Sequence, residues 1–404
     1  MLALRLVRGA PPLALLRRLL LAAAAAGVTF LMLGAVGHAA GHPEAAGDGA
    51  TRMLWCLVPL AAALQLAVAV ARTETSRRAL TGLDAAGVGP SRMPLLAAVS
   101  TTASCLLGSV VALLLFLLLR GHLGGLPFAG AAADVLGAGP ALPLGAVLLL
   151  FLLVPLTAAA TCLVALRPRP LPPSRREGDR NEPATLADAP PAALPPGLPW
   201  GVALTATGLA LETLAGRGSG DPAAGALLPM PGTLAGSPPG ALAGWVLTAI
   251  GLVLAGPGLT HLSGRLITLG RPGALRLLSG RILQDDAERV GRPLGVLCAV
   301  ASGALAAGEL YGPARGGEAA SGAVFGPLTL LGGVLVLGCA TASALAAAAE
   351  SRALRAPATA SLLQLGAPRS LLRNAAALRA VVVVAVLGPI AWAVGRLVAL
   401  PLTT

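Results

Sequence analysis

Apolar residues in this chain neither alternate nor gather on one helical face; they run on. Nine unbroken apolar stretches stand out, near Leu19–Val36, Met53–Ala71, Leu95–Leu119, Ala141–Leu166, Leu198–Ala215, Ala241–Leu262, Leu294–Tyr311, Val324–Ala349 and Ala375–Val394. Each has the length of a helical bilayer crossing, about 20 residues. Main-chain N–H and C=O groups find no water in lipid, so such stretches must satisfy them internally, as helices do. The pattern predicts an all-α fold, a polytopic transmembrane helix bundle of about nine spans. The first stretch follows Arg5, Arg8, Arg17 and Arg18 and precedes His38, Ala39 and Ala40, which loosely resemble a cleavage region. Its apolar run exceeds the usual signal-peptide core of about 7–15 residues, so it reads as a retained span.

The polar residues between the stretches set a direction. With the N-terminus inside, the inner segments hold Arg5, Arg8, Arg17 and Arg18; Arg72, Arg77, Arg78 and Arg92; Arg167, Arg169, Arg175, Arg176 and Arg180; Arg265, Arg271, Arg276, Arg281, Arg289 and Arg292; and Arg352, Arg355, Arg369, Arg373 and Arg379. The outer segments hold Arg52, Arg120, Arg217, Arg315 and Arg396. A bias of 24 against five in alternate segments is the positive-inside pattern and predicts a cytoplasmic N-terminus.

Composition sharpens this picture. Of 404 residues 56% are hydrophobic and 11% charged, and the mean hydropathy is +0.81; soluble domains carry about 25% charged residues. All 29 basic residues are arginine, and Ala, Gly and Pro are abundant, as in a high-GC bacterial genome. A net charge of +12 might point to nucleic acid, but that reading needs a clustered basic face with stacking aromatics, and aromatics are 2%. No nucleic-acid partner is expected; the partner that composition implies is the lipid bilayer. The five cysteines, Cys56, Cys105, Cys162, Cys298 and Cys339, all fall in apolar stretches without CxxC spacing and read as small buried side chains.

The segment Arg167–Gly197 is rich in Pro, Arg, Asp and Glu and reads as a disordered cytoplasmic linker. The Gly- and Pro-rich stretch Arg217–Gly240 reads as a coreless outer loop. Around these, the halves share an order of parts. A short basic amphipathic stretch, Arg5 to Arg18, leads into the first span, and a parallel stretch, Arg281 to Arg292, leads into the seventh. Each is followed by a short outer loop, a return span, a charged inner segment and another outward span. The first charged segment runs through Arg72, Glu74, Arg77, Arg78, Leu83, Gly87, Pro90 and Arg92; the second through Glu350, Arg352, Arg355, Leu362, Leu365, Gly366, Pro368 and Arg369. In both, charges at the membrane exit give way to an apolar stretch and then to Gly with Pro and Arg. Gly and Pro there end a short helix and turn the chain back. A short helix at the inner membrane face is expected in each.

On these residues the chain resembles the FtsX-like (MacB-type) permease subunits of bacterial ABC transporters. Leu83 to Val88 and Leu362 to Ala367 stand where that family has its Leu-x-x-Gly-Ala/Val-type ending, and Ser279 to Arg289 resembles the run opening the second module of actinobacterial members. The resemblance spans about residues 5–395. It implies two permease modules: residues 1–166 with four spans and a coupling segment at 72–94, and residues 264–404 with three spans and a coupling segment at 350–374. The linker 167–197 and two central spans over 198–263 lie between. It further implies a subunit that is no enzyme and binds no cofactor. Its partner would be a separate ABC ATPase, acting as a dimer at the cytoplasmic face of the bacterial cell membrane. That ATPase would push on Arg72, Glu74, Arg77, Arg78, Gly87, Arg92, Glu350, Arg352, Arg355, Gly366 and Arg369. Independently, a P-loop needs a lysine to reach the phosphates, and this chain has none. Two features depart from the family. The gaps Gly37–Arg52 and Gly312–Phe325 are too short for its large outer domains, and the second module lacks its fourth span unless the total is ten. No substrate is legible. The alternatives are an ion-coupled secondary transporter and a non-transporting membrane scaffold.

Charged or polar residues within spans are functional suspects. Glu212 and Glu309 are expected in the hydrated outer interface, His261 at the inner interface, and Arg379 one turn inside the ninth span, snorkelling inward. His38, His42, Glu44 and Asp48 are too loosely spaced for a metal site, and the run Gly216 to Gly220 lacks the strand and helix of a nucleotide fingerprint.

Overall fold

The structure, a computed structural model, describes residues 12–41, 52–80, 92–121, 130, 136, 144–167, 197–218, 239–270, 273–311, 327–366 and 368–403. Eleven helices account for nearly all of these. They are α1 Pro12–Gly41, α2 Leu57–Leu80, α3 Arg92–Leu119, α4 Leu144–Ala165, α5 Gly197–Gly218, α6 Pro239–Thr268, α7 Ala274–Asp285, α8 Ala287–Tyr311, α9 Pro327–Leu354, α10 Ala356–Gln364 and α11 Arg369–Thr403. No strand occurs among the described residues. Eight of the helices, α1 to α4, α6, α8, α9 and α11, are long and apolar enough to cross a membrane. The chain is thus an all-α, multi-pass membrane protein. The fifth expected span is also helical, as α5, but it is not one of the eight. Three threonines, Glu212 and five glycines dilute its apolar character. The expected linker, 168–196, and the expected outer loops at 42–51, 219–238 and 312–326 lie outside the described residues.

Two apolar cores organise the helices. The first joins α1, α2, α3 and α4 through Leu21, Val28, Leu33, Leu66, Val70, Phe116 and Val154. Phe30 meets the Phe116 ring edge-on at 6.2 Å, and Arg120, itself buried, lies over that ring at 5.9 Å. Inside this core Thr29 and Ser109 share a hydrogen bond of 3.2 Å between α1 and α3. The second core joins α6, α8 and α11 through Leu252, Cys298, Ala391, Val394 and Val398, with Leu209 of α5 against it. All five cysteines are buried free thiols, as expected.

α9 bridges the cores. Its first half packs on the first, with Leu335 against Gly27 and Leu328 against Gly34, and Cys339 belongs to that core. Its last turn reaches the second, where Arg355, just past its end, pairs with Asp286 at the start of α8. These contacts also fix directions. Gly108 of α3 lies against Ala22 and Ala26 while Gly37 meets Phe116, so α1 and α3 run in parallel; Leu328 and Leu335 make α9 antiparallel to α1. Gly395 against Ser302, and Cys298 donating to the Leu387 carbonyl at 3.8 Å, make α8 and α11 parallel. The helix ends that carry Arg17, Arg92, Arg289, Arg352 and Arg369 consequently gather at one end of the bundle, and Arg120 and Arg396 lie at the other.

α5 and α6 approach closely along their length. On α5 the residues Gly201, Thr205, Gly208 and Glu212 form one stripe, and on α6 Gly244, Thr248, Gly251 and Ala255 form another with the same spacing. The stripes run antiparallel. A Cβ on Gly208 would stand 2.6 Å from the Thr248 nitrogen, and one on Gly251 would stand 2.5 Å from the Thr205 nitrogen. In lipid, apolar side chains gain little from meeting each other, so small residues that let backbones approach are what hold helices together.

Candidate functional site

The arginine-rich end holds the densest group of interacting charges. It is assembled from two helix junctions and the third turn of α11. Asp286 is the single residue between α7 and α8: its N–H donates to Ile282 O at 3.1 Å and its carbonyl accepts from Val290 N at 2.9 Å. Arg355 is the single residue between α9 and α10, and it pairs with the Asp286 carboxylate through Nη2. The arginine is further held from behind, with Nε donating to Ser351 O at 3.0 Å and Nη2 to Ser351 Oγ at 2.9 Å. Arg379, on α11, donates from Nε to Ala375 O at 3.2 Å. The same carbonyl accepts from Ser279 Oγ of α7 at 3.4 Å. One polar cluster therefore ties α7, α8, α9, α10 and α11 together at this end.

Electrostatics follow from partial burial. Burial raises the Asp286 carboxyl above the usual range, and Arg355, Arg379 and Arg289 pull it back down. Burial lowers Arg355, and Asp286 opposes that effect, while Arg352 reinforces it. A guanidinium with a fixed fork of donors suits a shared, bent junction better than a point charge does: here two of its nitrogens address three acceptors on two elements.

Beyond Arg355 the chain forms α10, nine residues long and with no buried side chain. It ends at Leu365, 83% exposed, and at Gly366, whose φ of +91° is a left-handed turn that a side chain would strain. Arg369 then opens α11. The short helix and Gly-ended turn expected between the second and third spans of this half are thus present. Glu350 and Arg352 lie in the last turn and a half of α9. In the other charged segment, Arg72 is an exposed residue of α2, and Glu74, Arg77 and Arg78 fall on its last turns. Arg92 is the first residue of α3. Gly87 and the turn around it, 81–91, lie outside the described residues.

Two polar residues depart from their expected settings. Glu212 is 2% exposed and His261 3% exposed, so neither sits in a hydrated interface. Glu212 is enclosed because Gly244 faces it from α6, leaving room for its Cγ. His261 lies within α6, which continues to Thr268, a turn and more beyond the expected end. Glu309 keeps its expected place: it is exposed and pairs with Arg396 at 2.7 Å at the opposite end from Asp286. Sequence reasoning missed Asp286; the doubled acid Asp285–Asp286 inside an arginine-rich run was the available signal. His38 closes α1, and no group of metal-binding side chains occurs among the described residues.

No protein-family model matches this chain, and neither a curated protein nor a solved structure is similar to it.

Proposed function

We propose that this chain is the membrane-spanning permease subunit of an ABC-type complex in a bacterial cell membrane, with a separate ATPase docking at the arginine-rich, cytoplasmic end. The chain has no lysine and so no Walker A motif of its own. The observation that carries the reading is the α9–α10–α11 junction. A short helix with no buried residue protrudes there, and its root, Arg355, is bonded to the hinge between α7 and α8. Force on α10 would reach α7 and α8 through that bond, and α9 and α11 through the chain itself. On this reading Glu350, Arg352, Arg355, Gly366 and Arg369 form the coupling segment, and Arg72, Glu74, Arg77, Arg78, Gly87 and Arg92 its counterpart in the first half. ATP-driven movement would then serve export or the transmission of force.

An ion-coupled transporter is the second reading, and the buried carboxylate of Glu212 favours it. Copurification separates the two. Tagged protein extracted in detergent should recover an ABC ATPase, and Arg352→Glu, Arg355→Glu and Arg369→Glu together should abolish that recovery while leaving the extracted protein monodisperse. Recovery without any ATPase, from cells that express one, would discard the proposal.

A further inference from the structure

Glu212 has surroundings that the ATPase reading does not use. It lies at the end of the α5 stripe, where a Cβ on Gly244 would stand 2.6 Å from its Cγ. Its Oε1 accepts from Thr248 Oγ1 at 3.3 Å. Its Oε2 is buried with no hydrogen-bond partner among the described residues. From α6 it is faced by Gly244 and Thr248, neither of them charged. The charged groups that α8 and α11 carry at this end, Glu309 and Arg396, pair with each other. An ionised carboxylate in this position would be a buried charge with one weak neutral donor and, among the described side chains, no counter-ion, the costliest state a side chain can adopt in an apolar setting. A neutral carboxylic acid removes the charge and keeps the bond from Thr248.

We propose that Glu212 is a proton-binding site within the α5–α6 seam, holding its acidic proton at neutral pH. The flanking glycines set its seclusion: Gly208 and Gly244 bring the two backbones together around the carboxyl, so its proton exchanges with water only when α5 and α6 part. The ligand is the proton itself. This places a protonatable carboxyl inside a bundle in which Asp285, Glu288 and Glu309 are exposed and Asp286 is ion-paired. The inference stands independently of any ATPase partner.

Infrared absorption of the intact protein in detergent tests it. At neutral pH the wild-type protein should show the C=O stretch of a protonated carboxyl, above the amide I region, and Glu212→Gln should lose it. Thr248→Val, which removes the hydrogen bond, should shift the band to higher frequency; this variant keeps the test open if Glu212→Gln does not fold. Raising the pH should extinguish the band, and added sodium at constant pH should leave it unchanged. Loss of a carboxylate band in Glu212→Gln, with no protonated band in the wild type, would overturn the proposal. Disappearance of the band on adding sodium would overturn it in favour of a metal-cation site.

Discussion

The first core of this bundle and the α5–α6 seam are held together by different means. Around α1 to α4, bulky side chains interlock: Leu21, Leu33, Leu66, Val70 and Phe116 are all at most 2% exposed. Around α5 and α6 the seam is made of Gly201, Gly208, Gly244 and Gly251 with two threonines, and the backbones themselves are in contact. Large side chains fill the space between α1 to α4, except where Gly108 brings α3 onto the Ala22 main chain, whereas in the α5–α6 seam four glycines bring main chains close and leave room for a polar group between them. The first arrangement resists loss of volume. The second resists gain of volume, and it is the one that encloses a carboxyl.

Substitutions that exchange these sensitivities test the contrast. The largest expected loss is at Phe116, which is fully buried and contacts both Phe30 and Arg120. Phe116→Ala should cost about 3–5 kcal/mol, read as a drop in thermal midpoint in detergent. Gly208→Ala should cost about 1–3 kcal/mol, because the added methyl meets the Thr248 main chain. Gly303→Ala, with nothing within 4 Å, is the matched control and should be neutral or stabilising. If Gly208→Ala proved as mild as Gly303→Ala, the seam would not be the close contact described. A double-mutant cycle of Asp286→Ala with Arg355→Ala should return a coupling of about 1–3 kcal/mol, as a charged hydrogen-bonded pair does when half-buried. The smallest effect belongs to the exposed pair at the other end. Glu309→Gln should change stability by about 0–1 kcal/mol and less in high salt.

Much of this was written in the sequence, and the omissions have physical causes. Long apolar runs locate helices because lipid leaves the backbone no alternative, which is why the starts of α3 and α4 fall within three residues of expectation, while α1 begins seven residues earlier than its apolar run. The turn after α10 was legible because Gly366 and Pro368 each restrict the backbone in a known way. Packing partners were not legible. Hydropathy says that α9 crosses the membrane, but not that its first half joins the core of α1 to α4. Glu212 was misplaced for a related reason. Its distance from the end of an apolar run suggested an interface, whereas its burial depends on Gly244, 32 positions later. Read together, the matched spacing of Gly201, Thr205, Gly208 and Glu212 with Gly244, Thr248, Gly251 and Ala255 carried the signal. The pairing of Arg355 with Asp286 was hidden because it joins two helix junctions far apart in the chain.

The central claim is that the exposed helix α10 sits on the cytoplasmic side as the docking point for an ATPase. Thiol labelling of Leu365→Cys reads this directly, since Leu365 is 83% exposed and the five native cysteines are buried and should stay silent. With a membrane-impermeant maleimide, the account predicts labelling in inverted membrane vesicles, none in right-side-out vesicles, and protection once the ATPase is bound. Labelling from the outer face of intact cells would contradict it.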